Sequence, residues 1–246
     1  MKLFKKFHLK LVFSLLFLLP NYLFAIGSYA EGWVNAKIIQ FESRGIIFES
    51  YEGVMEIPSF SSDEKCEEEK DLCYSRTKIT KSFSVRPDKA DIINLLSKSI
   101  NQEVLLNYKI HMISAISLSS DTEILEAKVV SGDLPSGLEE KKVVKKSGSK
   151  RNFSVKGKVL QLDYQGWMVG TYEGLYLDEK RGKVHPFSVT DENMAKHAWI
   201  TMKSNRPYFM GISVAYVDGF RKSDYDLFEI NYNEPAGGVP QTIEKN

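Results

Sequence analysis

The sequence predicts a mainly β chain, all-β or α+β in class, folded as two tandem small barrels. Three observations predict it. Val34–Ile57 (VNAKIIQFESRGIIFESYEGVMEI) lies without a gap over Val155–Asp178 (VKGKVLQLDYQGWMVGTYEGLYLD). Runs of β-branched and aromatic residues recur between turn residues, with one stretch of helical spacing in each half. Residues 1–25 differ from everything after them and read as an export leader.

The repeat rests on identities in order. Val34, Lys37, Gln40, Gly45, Tyr51, Glu52 and Gly53 recur as Val155, Lys158, Gln161, Gly166, Tyr172, Glu173 and Gly174. Those are 7 of 24 positions, where average residue usage gives about one or two by chance. Phe83-Ser84-Val85 then matches Phe187-Ser188-Val189, and SDTEILE from Ser120 matches SDYDLFE from Ser223. Convergent strand patterning does not keep such matches in order, so duplication is the better reading.

In the first copy Val34–Glu42 suits a strand, Ser43-Arg44-Gly45 a turn, and Ile46–Ile57 a second strand. The internal Glu52-Gly53 suggests a bulge or sharp bend there. Lys78–Val85 is a third strand. Asp88 is placed to cap a helix over Lys89–Ile100, where Ile92, Ile93, Leu95, Leu96 and Ile100 share helical spacing. Glu103–Ile116 and Glu123–Val130 complete five strands. The second copy repeats the order, with Asp191 capping a helix from Glu192 to Met202. A short helix between the third and fourth strands is the arrangement of an OB-like barrel; an SH3-like barrel satisfies much of the same pattern. The expected units are the leader at 1–25, a first barrel at 26–131, a polar linker at 132–152, a second barrel at 153–233 and a flexible tail at 234–246.

The chain has 246 residues, 43% hydrophobic and 26% charged, which suits a globular protein rather than a disordered one. Lys2, Lys5, Lys6 and Lys10 open it without an acidic residue. Leu11–Leu19 is almost continuously apolar, Pro20-Asn21 breaks it, and Ala25 offers a small residue at the exit. From Leu11 to Ile26 the stretch is 16 residues, short of the roughly 20 that span a bilayer. Cleavage is therefore favoured over anchoring. The expected location is exported, in the periplasm, secreted or at the cell surface. Membrane contact is expected only through the leader. Losing four lysines takes the net charge from +1 to −3. This balance argues against a dedicated nucleic-acid binder, so no nucleic-acid partner is expected. Lys141, Lys142, Lys145, Lys146, Lys150 and Arg151 read as a solvated linker or, less simply, as a patch for an acidic surface.

The residues that carry chemistry are sparse. No G-x-S-x-G, H-E-x-x-H, Ca-binding loop or phosphate-cradling glycine loop occurs. His111, His185 and His197 read as ordinary histidines. The expectation is no catalytic residue, no metal and no cofactor. The candidate binding residues are Tyr51, Glu52, Tyr172 and Glu173, which recur beside a glycine, and Trp167, which replaces Ile46. The alternative for the Tyr-Glu-Gly element is structural, with Tyr packed inward and Glu facing water or accepting backbone N–H bonds.

Tyr29-Ala30-Glu31-Gly32, Arg44-Gly45, Ser50-Tyr51-Glu52-Gly53, Phe83-Ser84-Val85 and Asp121-Thr122 form one motif series. Gln165-Gly166, Thr171-Tyr172-Glu173-Gly174 and Phe187-Ser188-Val189-Thr190-Asp191 form another. Both resemble the YSDG, KG, TWEGEL and FSV-D elements of small exported or membrane-anchored bacterial proteins of uncharacterised function. The resemblance spans most of residues 29–130 and, more loosely, 153–232. Members are typically single copies, so this chain looks like a duplicated version. Their WEG tryptophan is Tyr51 and Tyr172 here, and their late cysteine is absent. Some members are labelled 6-phosphogluconate dehydrogenase. No G-x-G-x-x-G follows a strand here, and no strand–helix alternation supports that label. The resemblance carries over no catalytic residue.

The expected function is a non-enzymatic binding or scaffolding module of the cell envelope, for a protein or glycan. Two alternatives are a surface-exposed binder of host matrix or serum proteins, and an enzyme with a glycan-directed acid–base site between the barrels using Glu52 and Glu173. The cysteines give the first testable expectation. Cys66 and Cys73 are the only two, both beyond the leader, and an oxidising compartment favours a bridge. Mass spectrometry of the non-reduced exported protein should show no free thiol, and Cys66→Ser should still fold. Two free thiols would refute the bridge.

Overall fold

The computed structural model describes residues 26–45, 49–62, 74–113, 118–130, 137, 142–145, 151–166, 170–214 and 221–233. The leader, the tail, Trp167, Cys66 and Cys73 lie outside the described residues. The first copy runs β1 (Ile26–Arg44), β2 (Ser50–Ser62), β3 (Tyr74–Val85), α1 (Ala90–Lys98), β4 (Glu103–Ile113) and β5 (Thr122–Val129). A short β6 (Lys142–Val144) follows. The second copy runs β7 (Arg151–Gln165), β8 (Thr171–Asp178), β9 (Lys183–Val189), α2 (Glu192–Ser204), β10 (Tyr208–Val214) and β11 (Tyr225–Asn231).

Each copy closes in the same way. β1 pairs antiparallel with β2 and β4, β2 with β3, and β4 with β5. The ring is completed where β3 meets β5 in parallel, at the single pair Ser84↔Glu123. In the second copy β11 meets β9 in parallel at Asp226↔Ser188. A five-stranded ring with this order and a helix between strands three and four is the OB-fold, which decides against the SH3-like alternative.

The bulge lies elsewhere than expected. β2 runs through Glu52-Gly53 in unbroken register with β3. The irregularity is in β1 between Ile38 and Gln40, and in β7 between Val159 and Gln161, at equivalent positions. One extra residue switches the inward set from even to odd positions. Val34, Ala36 and Ile38 are buried, Ile39 is exposed, and Phe41 packs against the core. This is why the alternation in the sequence is only partial. Gly53 and Gly174 have a different reason. A Cβ on Gly53 would lie 2.2 Å from the Phe83 ring, and one on Gly174 2.5 Å from the Phe187 ring. Each phenylalanine lies over the glycine opposite it and fills the missing side chain.

The helices divide in the same manner. Asp191 caps α2 as expected, its carboxylate accepting from the Met194 N–H at 2.7 Å. Asp88 does not cap α1; Lys89 stands at that position and makes no side-chain cap bond. α1 is held by its apolar face, with Ile92 and Leu96 buried in the first core. The segment read as a solvated linker contributes β6, which lies antiparallel on β11. Lys142 pairs with Glu229 and Lys145 with Asp226, both at 2.8 Å. The acidic surface that this basic run meets belongs to its own chain.

The barrels are joined by a strand seam. Ala30–Val34 of β1 pairs with Gln161–Gln165 of β7, so one sheet of eleven strands passes through both copies. Gly32 stands opposite Asp163, and a Cβ there would lie 2.4 Å from the Leu162 carbonyl oxygen. The duplication puts Phe153 at the equivalent of Gly32, so this position is a glycine in the copy that docks on it. β1 and β4 each present two apolar faces. Val34, Val104 and Leu106 enter the first core, while Trp33 and Leu105 enter the second.

Asp163 is buried by this seam, at 1% exposure. Burial pushes its carboxyl up to about 6, while hydrogen bonds from Tyr108, Gln161 and Gln165 and the nearby Lys81 ammonium pull the other way. Gln161 Nε2 donates to Oδ2 at 2.5 Å, but Oδ1 has no partner among the described residues. A carboxyl raised in the folded state favours its protonated form, so its contribution worsens as the pH rises from about 4 to about 6. Near neutrality the charged group costs the folded state about 3 kcal/mol. Asp163→Asn should therefore gain about 1–3 kcal/mol over the parent at pH 7.5 and almost nothing at pH 4. Urea unfolding at both pH values reads the difference; an equal gain at both would show that charge burial is not the cause.

Candidate functional site

The recurring residues of the two copies meet in one hydrogen-bonded cluster. Ser50 and Ser84 each donate a hydroxyl hydrogen bond to the Glu52 carboxylate at 2.6 Å, and the Ser119 N–H donates at 3.3 Å. Ser84 Oγ in turn accepts from the Ser120 N–H at 2.9 Å, and Ser120 Oγ donates to the Ser82 carbonyl at 2.9 Å. The second copy repeats every link. Thr171 and Ser188 donate to Glu173, Ser188 at 2.6 Å, and the Lys222 N–H donates at 3.2 Å. The Ser223 N–H donates to Ser188 Oγ, and Ser223 Oγ to the Pro186 carbonyl, both at 3.2 Å. The cluster ties β2 and β3 to the approach to β5 where the strands themselves share one pair, so it clasps the barrel shut. The Tyr-Glu-Gly, Phe-Ser-Val and Ser-Asp elements are three parts of one device.

Above each clasp lies a cleft. In the first copy it is lined by Gln40, Arg44, Glu52, Gly53, Val54, Ser82, Ser119 and Ser120, with a volume of about 120 Å³. The second copy builds its cleft from the equivalents Gln161, Gln165, Glu173, Gly174, Leu175, Pro186, Lys222 and Ser223, joined by Asp224 and Tyr225. Phe60 of β2 adds a wall from the other barrel, and the volume reaches about 480 Å³. Larger apolar groups, Leu175 for Val54 and Pro186 for Ser82, make this cleft the less polar of the two. Lys222 is held at its rim by Gln165 and by the Tyr29 hydroxyl, the latter at 2.8 Å.

The other tyrosines and the histidines make contacts within the fold. Tyr51 stacks on Phe41, with centroids 6.0 Å apart, and Tyr172 meets Trp199 edge-on at 5.4 Å. His111 Nε2 lies 2.7 Å from Glu123, which Arg86 also binds. Burial alone would raise the Glu123 carboxyl, but Arg86 and His111 outweigh it and hold it below its usual value. Burial lowers His185 to about 4 against the ring of Tyr176. His197 is bonded to the Tyr232 hydroxyl at 2.9 Å. Among the described residues no three His, Cys, Asp or Glu side chains are placed to hold a metal ion.

Glu52 and Glu173 line separate clefts, and the structure does not bring them together across one groove. The sequence contained a signal for the serines of the clasp, since Ser84/Ser188 and Ser120/Ser223 recur in order. It contained none for Phe60, which reaches the second cleft only through the docking of the barrels. A third cleft lies between the barrels, about 220 Å³, where Lys37, Arg76, Lys78 and Lys158 converge with Glu56 and Glu103.

The family profile described as "Domain of unknown function (DUF8785)" matches in two segments, residues 27–132 and 148–237. No curated protein matches the chain. Two solved structures are similar to it, both of the single-stranded DNA binding protein from Thermus aquaticus. A deletion mutant is 8% identical over 86% of this chain and 96% of its own, with a TM-score of 0.28. The wild type is 8% identical over 87% and 95%, with a TM-score of 0.26. The exclusion of nucleic acid drawn from net charge does not stand. A total near zero does not describe where charges lie, and four basic side chains gather in the cleft between the barrels.

The clasp makes a direct prediction. Glu173→Ala leaves two hydroxyls and the Lys222 N–H without their acceptor and should destabilise the protein by about 3 kcal/mol. Glu52→Ala should do the same in the first barrel, and Glu→Gln at either place should cost less because one acceptor oxygen remains. Urea unfolding measures this; a loss under about 0.5 kcal/mol would show that the clasp does not close the barrel.

Proposed function

The chain belongs to the family described as Domain of unknown function (DUF8785), and from that premise we propose that it is an exported, non-enzymatic binding or scaffolding protein of the cell envelope whose ligand, a protein segment or a glycan, lies in the cleft of the second barrel. One observation carries the reading: the same cleft is formed twice and is large only where the first barrel contributes Phe60. Docking of the copies then has a purpose beyond stability, because it completes a site that neither copy has alone. Phe60, Leu175, Pro186 and Tyr225 offer apolar and aromatic surface, and Lys222, Ser223 and Asp224 stand among them to orient a polar ligand. The non-enzymatic part of the reading draws on Glu52 and Glu173. Each carboxylate already accepts three hydrogen bonds from the fold, which leaves it poorly placed to exchange a proton with a substrate.

The test is cross-linking and co-purification from envelope fractions with parent and Phe60→Ala proteins. Titrations with N-acetylglucosamine oligomers and with oligothymidylate run alongside. Phe60→Ala should keep its thermal transition and lose about tenfold or more in affinity for the captured partner or glycan, roughly 1.4 kcal/mol. Capture that is indifferent to Phe60, or a cleft that saturates with oligothymidylate alone, would overturn the reading.

A further inference from the structure

The two barrels differ at one sheet edge. In the second, β6 lies along β11 with Lys142 opposite Asn231, Val143 opposite Ile230 and Val144 opposite Glu229. The Lys145 N–H donates to the Phe228 carbonyl at 2.8 Å, and Lys142 pairs with Glu229. The duplication puts Leu125, Glu126, Ala127 and Lys128 of β5 where Phe228, Glu229, Ile230 and Asn231 stand in β11. On β5 one edge is taken by β4 from Thr122 to Val129, and β3 meets the other only at Glu123. Among the described residues no strand covers Leu125–Val129, and Val129 is 69% exposed.

β1 starts at Ile26, four residues before the counterpart of Arg151, and remains paired to β4 at Ile26↔Ile113. The open edge keeps the outer acid of the covered one, with Lys128 standing where Asn231 does. Glu126 occupies the place of Glu229, and its pairing with Lys128 at 2.7 Å is between half-exposed groups, a weak surface pair. The deeper acid, Glu123, is held by Arg86 and His111, so an incoming strand need supply only the outer lysine.

We propose that the open edge of β5, Leu125–Val129, accepts an extended segment of a partner protein in which a lysine precedes β-branched residues, as in Lys142-Val143-Val144. An uncovered edge offers backbone donors and acceptors in a row, and an added antiparallel strand satisfies them. The surface is separate from the cleft at Phe60.

The experiment uses the full chain purified after export and a fluorescein-labelled hexapeptide with the sequence of residues 141–146, KKVVKK, read by anisotropy and by amide hydrogen exchange. Saturable binding is expected, with slowed exchange at Leu125 and Ala127. The same peptide with proline in place of its first valine keeps every charge but loses an N–H that faces the edge; it should bind at least tenfold more weakly. Ala127→Pro should remove the complementary donor with a similar loss, and Phe60→Ala should leave binding unchanged. If Ala127→Pro does not fold, the proline peptide gives the same discrimination on the parent protein. Equal binding of both peptides, protection at Phe228–Ile230 instead of β5, or no saturation up to about 1 mM would each overturn the proposal.

Discussion

A small barrel holds together only if its first and last strands find each other, and here that meeting is one residue pair wide. Ser84 faces Glu123 in the first copy and Ser188 faces Asp226 in the second. Backbone pairing that thin cannot hold a ring closed. The buried carboxylates of Glu52 and Glu173 do so instead, each gathering two hydroxyls and a backbone N–H from three parts of the chain. The rest depends on this closure. The glycine beside each glutamate, the phenylalanine that covers it and the clefts above all take their positions from the clasp.

The seam between the barrels depends in turn on closed barrels with a free stretch of edge. β1 gives Ala30–Val34 to β7 while its later residues remain with β2. Close approach requires Gly32, and it buries Asp163 without a full set of partners. The equivalent Glu42 lies on the surface, ion-paired to Arg44. One ancestral acidic position has therefore become two environments. The exposed one is solvated and paired, while the buried one weakens the fold at neutral pH in exchange for an interface. That interface brings Phe60 to the second cleft and Trp33 to the second core.

Much of this was legible before any coordinates. The Tyr-Glu-Gly recurrence marked the position of the clasp, where Glu52 and Glu173 each accept two hydroxyl hydrogen bonds and one from a backbone N–H. The Val104-Leu105-Leu106 run belongs to a strand that the structure buries on both faces. Other features were misplaced for identifiable reasons. Glycine in a strand suggested a bend, but the bulge falls at Ile39 and Leu160, whose side chains carry no turn signal. Asp88 resembled a cap, but the helix starts two residues later. A basic linker composition hid a strand, because three residues are too few to show periodicity.

The sequence by itself determined the duplication, the five-strand and one-helix order of each copy, and the polar residues that each barrel repeats. These follow from local propensity and from identities that persist at fixed spacing. Tertiary structure decided which edges meet, which acid is buried, which cleft is enlarged and which edge remains uncovered. Those outcomes depend on pairings between residues about eighty or more positions apart, and neither periodicity nor composition carries information at that range. Lys142 and Lys145 read as solvated charges until β11 is folded beneath them. Phe60 reads as an ordinary strand residue until the second barrel is docked against it.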